Sequence, residues 1–267
     1  MIKLSSRLKL MADQIEQNET MADIGTDHGF LPMYLIDKAV CQKVILADVS
    51  KGSLEKAKSN VKALIEKRAN EGKVLTSDSF DFRLGDGISV LDEGEADTIV
   101  IAGMGGVLIS EILERGLSVA HATKRLVLQP RNGQAKLRFW LLRHGFVIEK
   151  ELLVREGKFL CEIITAVSKT GSPLLIPEEE LPAPASALCY EIPESLLENG
   201  AIAEEYMKRR IAMKERILKE LSKTKTLPEE MLLERQEKIF REIAYCRELL
   251  AKCKPFSDVN EKNREEC

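Results

Sequence analysis

The chain has 267 residues, 44% apolar and 31% charged, which suits one large or two modest packed domains and excludes a disordered chain. It contains no apolar run of about 18 residues, so no membrane helix is expected, and residues 1–20 turn polar too soon for a secretory leader. The six scattered cysteines form no C-x-x-C pair, which excludes a zinc site and a disulfide staple and fits free thiols in the cytoplasm, and the net charge of −3 argues on average against nucleic acid.

A first helix is expected over 4–18, where Leu4, Leu8, Met11 and Ile15 share one face. Short apolar runs then alternate with helical stretches. Strands are predicted at 20–24, 43–49, 81–84, 97–102 and 124–129, with helices at 30–38, 52–70, 107–115 and 134–144. Such β-α alternation implies a mostly parallel, doubly wound sheet covered by helices on both faces. After Gly145 the pattern changes. Two extended runs, 146–154 and 159–168, are joined by Arg155-Glu156-Gly157-Lys158, a β-hairpin that closes the sheet antiparallel.

Gly171-Ser172-Pro173 and the prolines at 177, 182, 184 and 193 mark a linker. Two helices are expected beyond it, at 194–223 and 228–253, with Thr226 or Leu227 as a cap and Pro228 in the first turn. In the second, Leu232, Gln236, Ile239, Ile243, Cys246, Leu250 and Cys253 recur at 4-3-4-3-4-3, a heptad seam. The first carries a looser stripe of Ile202, Tyr206, Met213, Ile217 and Leu221. With a short connection the two should pair as an antiparallel coiled-coil hairpin. The expected division is a sheet domain over 1–170, a coiled-coil domain over 171–255 and a flexible tail over 256–267.

Charge is unevenly placed along the chain. From Lys208 to Lys225 eight basic residues, among them Arg209, Arg210, Lys214, Arg216 and Lys219, stand against only Glu215 and Glu220. Such a face can steer a polyanion despite an acidic average, and a merely solvated helix surface fits it equally well.

The first predicted strand runs into Asp23-Ile24-Gly25-Thr26-Asp27-His28-Gly29-Phe30. Glycines there let the chain turn sharply and approach a ligand, but a dinucleotide loop has three of them, and acids would oppose a pyrophosphate. An acidic loop suits a ligand bearing an ammonium group, such as S-adenosylmethionine. The second strand ends at Asp48, before Val49 and Ser50, where a carboxylate can accept both ribose hydroxyl hydrogens of an adenosine. Gly85-Asp86-Gly87 sets a third acid where an adenine amino group would lie; helix capping by Asp48 and Asp86 is the competing explanation. The fourth strand ends in Ile101-Ala102-Gly103-Met104-Gly105-Gly106, which admits a flat base close to backbone or is a plain strand-to-helix turn. After the fifth, Gln129 and Asn132 could read a base edge and Arg131 could hold a phosphate. His121 and His144 sit near helix ends, and no Cys-His, Ser-His-Asp or metal spacing occurs.

DIGTDHGFLP at 23–32, IAGMGG at 101–106, LQPRNG at 128–133 and the C-terminal coiled coil together resemble the bacterial tRNA (adenine-22-N1)-methyltransferase family, over nearly the whole chain. The resemblance implies a Rossmann-like class I methyltransferase sheet with a closing antiparallel hairpin and a C-terminal coiled-coil hairpin. It implies methylation of adenine N1 in tRNA from S-adenosylmethionine. From the residues themselves no metal and no membrane partner is expected, and the oligomeric state stays open with a monomer favoured. Asp23, Gly25, Thr26, Asp27, His28 and Gly29 would line the cofactor loop, Asp48, Val49 and Ser50 the ribose, and Asp86 and Gly87 the adenine. Gly103 and Met104 would lie beside the transferred methyl, and Asp27 would stabilise the cationic product. Lys208, Arg209, Arg210, Lys214, Arg216, Lys219 and Arg131 would grip RNA phosphates. Two alternatives stay open: a methyltransferase acting on a small molecule or protein with the coiled coil as dimer interface, and a non-catalytic RNA-binding protein.

Overall fold

Residues 2–223 and 228–253 are described by a computed structural model. Its strands are β1 (Met21–Ile24), β2 (Val44–Asp48), β3 (Phe80–Leu84), β4 (Thr98–Met104), β5 (Arg125–Pro130), β6 (Phe146–Glu156) and β7 (Phe159–Ser168). They form one sheet in the order β3-β2-β1-β4-β5-β7-β6. The first five are parallel, and β7 pairs antiparallel with both β5 and β6. The doubly wound sheet with its closing hairpin is as the sequence predicts. The helices are α1 (Ser6–Ala12), α2 (Phe30–Asp37), α3 (Lys51–Asn70), α4 (Gly106–Arg115), α5 (Leu117–Ala122), α6 (Gln134–Arg143), α7 (Leu188–Glu191), α8 (Ala201–Leu221) and α9 (Glu229–Lys252).

Successive strand residues enter opposite cores, as the two-residue pleat requires. Ala22, Ile24, Ile45, Ile99, Ile101, Leu126 and Leu128 pack with residues of α4, α5 and α6. Met21, Val44, Leu46, Val100, Val127 and Ile163 pack with residues of α1, α2 and α3. Burial on both faces is why β2, β4 and β5 read as continuous apolar runs rather than alternating ones.

The first helix is shorter than predicted. Ser5 caps it by accepting from the Leu8 amide, and it ends at Ala12, after which the chain turns through Asn18 at φ 69°. α5 was not expected; Gly116 divides it from α4. The predicted linker from 171 onward packs on the first unit, with the Ile176 amide donating to Arg143 O at 2.7 Å, and that unit closes at Tyr190. Beneath it lies a buried ion triad. Arg138 of α6 donates to Glu151 of β6 at 2.6 Å, to Glu162 of β7 and to the Tyr190 carbonyl at 2.8 Å, and all three charged side chains are almost fully enclosed.

The second unit begins at Glu191. Its first helix does not run from 194: a 3-10 stretch over Glu194–Asn199 is cut off by Gly200 at φ 62°, and α8 starts at Ala201. α8 and α9 pair antiparallel, with Lys214 on Glu242 and Arg247 on Glu215 at 2.8 Å. On α9 the predicted seam stands at Ile239, Ile243 and Cys246, with Leu249 added. On α8 the stripe differs, because Met213 and Ile217 are 40% and 38% exposed. Arg210 and Lys214 are the more enclosed side chains there, with their heads paired with Glu191 and Glu242. The predicted cap at Thr226 or Leu227, Lys225, the tail and Cys267 lie outside the described residues. Cys41, Cys161, Cys189, Cys246 and Cys253 are unbridged. Among the described residues no helix is long and apolar enough to cross a membrane.

Candidate functional site

The carboxyl ends of β1 and β4 meet α1 around a cleft of about 350 Å³, at the sheet edge where doubly wound folds bind ligands. Its floor follows from glycine at two places. Gly25 turns at φ 78°, and the Gly25 and Thr26 amides both donate to Ala47 O, at 2.8 and 3.1 Å, tying the loop to β2. The Met104 methyl occupies the space where a side chain on Gly25 would stand. β4 bulges between Ala102 and Met104, and Gly103 at φ 78° leaves room for the Arg131 guanidinium, 3.6 Å from where a Cβ would be. The turns after β4 and β5 are joined by Arg131 N–H to Met104 O and Gly106 N–H to Asn132 O, both 2.7 Å.

Asp23 lines this cleft. Burial pushes its carboxyl up to about 6, Asp48 pushes the same way, and Thr26 and Arg7 pull against them. Asp27 lies at the exposed mouth, 3.1 Å from Lys56 and 3.2 Å from His28, whose ring stacks on Phe30 at 5.3 Å.

The fold brings together Asp23, Gly25, Thr26, Asp27, His28, Gly29, Gly103, Met104 and Arg131 in this cleft. Asp48, Val49, Ser50, Asp86 and Gly87 are not part of its lining; they continue along the same edge, at the ends of β2 and β3. Asp48 accepts from the Ser50 amide at 2.6 Å, Ser50 caps α3, and Asp86 pairs with Arg115 at 3.2 Å. Gln129 is buried and holds Arg7, and Asn132 lies against Gly105 instead of lining the cleft.

Sequence reasoning missed the wall formed by α1. Arg7 donates from its guanidinium to Gln129 Oε1 at 3.0 Å and from its amide to Glu156 Oε2 at 3.2 Å, so it stands over Asp23 from the far side of the cleft. The Ser5 cap and the Arg among apolar residues were visible, but not the partners. His121 and His144 are used elsewhere, bonding Ser168 at 2.6 Å and the Trp140 carbonyl at 2.8 Å.

Residues 4–164 match the methyltransferase-domain family. The chain belongs to that family. A Bacillus subtilis relative named tRNA (adenine(22)-N(1))-methyltransferase is 34% identical over 165 residues, which are 62% of this methyltransferase and 65% of the relative's own length. The crystal structure of the B. subtilis M1A22 tRNA methyltransferase TrmK superposes with a TM-score of 0.73 at 25% identity, covering 94% of this chain and 100% of that one. Sp1610 of Streptococcus pneumoniae, solved in complex with S-adenosyl-L-methionine, gives 0.73 at 27% identity over 93% and 100%.

The residues present fit that ligand. A buried carboxyl whose charged form lacks a full countercharge suits the ammonium of the methionine part. Positive-φ glycines leave the wall bare, and the carboxylates Asp48 and Asp86 farther along the edge suit the nucleoside part. Burial pushes the Cys161 thiol up, and among the described residues no group of three or more His, Cys, Asp or Glu is placed to hold a metal.

Proposed function

We propose that this methyltransferase carries a methyl group from S-adenosylmethionine to N1 of an adenine in tRNA, adenine 22 by likeness to the B. subtilis relative. The observation that carries the reading is the acidic, glycine-walled cleft around Asp23, on a fold that matches TrmK over nearly its whole length. Its setting is the cytoplasm.

S-adenosylmethionine supplies an electrophilic methyl group, and adenine N1 offers an in-plane lone pair, so the protein's part is alignment. Asp23 accepts from the ammonium, Asp48 from the ribose hydroxyls and Asp86 from the adenine amine. Gly103 and Met104 form the flat wall beside the reacting atoms. The methylated base carries a positive charge until a proton leaves N6, and Asp27 at the mouth lowers the energy of that charge. Asp27→Asn should slow single-turnover transfer at saturating cofactor by about threefold, the scale of a solvent-exposed charge pair. An unchanged rate removes Asp27 from the chemistry.

α8 supplies the RNA grip in two tiers. Lys208 and Arg209 pair with Glu204 and Glu205 one turn back on the surface, and such pairs are weak enough to yield to phosphate. Arg216 and Lys219 are exposed. Arg210 and Lys214 are half-buried and bound to Glu191 and Glu242, so they hold the hairpin together. Changing Lys208, Arg209, Arg216 and Lys219 to Gln should weaken tRNA binding and flatten its log–log salt slope by about three, with cofactor affinity intact. Arg210→Gln should lower the melting temperature instead. An unchanged slope in the quadruple variant places the RNA elsewhere.

The direct test is incubation of the protein with labelled S-adenosylmethionine and unmodified tRNA, then nucleoside mass spectrometry. 1-Methyladenosine is the expected product. Cofactor binding without transfer to RNA would overturn the substrate and favour a small molecule or a protein.

A further inference from the structure

A second cleft, about 460 Å³, opens beside the first and shares Arg7 and Arg131 with it. That volume lies within the range of small-ligand sites. One side is the end of β5, with Gln129 and Pro130; the other is the start of β7, from Phe159 to Glu162. Phe159 is the one aromatic residue in its lining. At the hairpin tip, paired with Glu156, its side chain is 62% exposed, and Lys158 Nζ stands 5.4 Å from its ring centroid.

An exposed Phe with a cation over its ring contributes little to the core, and at the mouth of a cleft it leaves an aromatic surface within reach of a ligand with a flat face. The turns over 103–106 and 131–133 carry no aromatic residue that could stack on a base. The charges around the cleft point the same way. Its two carboxylates are already engaged, Glu156 by Arg7 and Glu162 by Arg138. Arg131, on the wall between the clefts, is exposed and makes no ion pair among the described residues. An open ring beside an available guanidinium is the pattern that binds unpaired nucleotides, with the base on the ring and the phosphate on the cation.

We infer that the second cleft seats the extruded target adenosine, its base stacked on Phe159 and an adjoining phosphate on Arg131, so that the N1 edge reaches into the first cleft past the rim at Arg7 and Arg131 that the two share. The inference rests on the RNA substrate proposed above. Phe159 is a positioning residue: it supplies the aromatic face that the turns after β4 and β5 lack, and it does so from the hairpin. Extrusion of a base costs a few kcal/mol of lost stacking, and an aromatic platform next to the reaction site offsets that loss where it matters.

The test compares Phe159→Ala, Phe159→Leu and Phe159→Tyr in the full chain, with tRNA as substrate. Phe159→Ala should lower kcat/KM for tRNA by about 10- to 100-fold, with S-adenosylmethionine affinity within twofold of wild type and no change in melting temperature. Phe159→Tyr should restore kcat/KM to within about threefold, and Phe159→Leu should not. Arg131→Gln should reduce the salt slope of tRNA binding by about one. A Phe159→Ala enzyme within twofold of wild type, or Leu serving as well as Tyr, overturns the stacking role while the parent activity stands. Absence of 1-methyladenosine with wild-type protein takes down the RNA substrate and this inference together.

Discussion

Arg138→Met should destabilise the protein by about 3–5 kcal/mol. Its side chain is 2% exposed, and it serves two carboxylates, Glu151 and Glu162, that are 4% and 2% exposed. Without the guanidinium, two buried negative charges face each other and the Tyr190 carbonyl loses its donor. Against a typical total of about 5–15 kcal/mol, that leaves a marginal protein. Urea unfolding should show a lower midpoint with an unchanged slope. Adding Glu151→Gln and Glu162→Gln to Arg138→Met should recover much of the loss, because the cost lies in stranded charge and not in lost attraction. A single-variant loss below about 1 kcal/mol would mean that water already relieves the triad.

Asp23→Asn should weaken S-adenosylmethionine binding by about 100-fold, the scale of a charge-assisted hydrogen bond lost from a buried site. The wild-type affinity should itself fall about tenfold for each pH unit below about 6, since the protonated carboxyl cannot pair with an ammonium. The variant should lack that slope. The sign for stability is opposite. A carboxyl raised in the folded state binds its proton more tightly there than in the unfolded chain, so folding weakens as pH rises from the usual 3.8 through about 6. Asp23→Asn should therefore melt higher than wild type at neutral pH without ligand while binding far worse. Calorimetry and thermal melts on the same samples check both halves, and an Asn variant binding within threefold of wild type would sink the assignment.

Much of this was legible because burial leaves a period in the residues. Strands enclosed on both faces announce themselves as apolar runs, and β1 to β5 fall within a residue or two of where those runs lie. The turn at Asp23–Gly29 was legible because two glycines and two acids at a strand end have few structural uses. Pairing across the chain was not legible. On α8 the more enclosed side chains are Arg210 and Lys214, paired with Glu191 and Glu242, and hydropathy counts such residues as outward-facing. The eight-to-two charge count on that helix overlooked the same carboxylates, along with Glu204 and Glu205 upstream. Asp48 and Asp86 follow the expected strands, yet their side chains are drawn to Ser50 and Arg115 at the edge beyond the cleft lining. Arg7 looked like one more N-terminal cation because its partners come more than a hundred residues later.

That last separation bears on when the protein becomes competent. Arg7 meets Glu156 across 149 positions of chain, so one wall of the cleft is fastened by a residue made long after the wall itself. Loops of that length are slow to close. The earlier β-α units already supply Gln129, one of the two partners of Arg7, but the Glu156 contact waits for the hairpin that sets β7 between β5 and β6. A chain cut before that hairpin would therefore carry the whole acidic loop with Arg7 held by Gln129 alone.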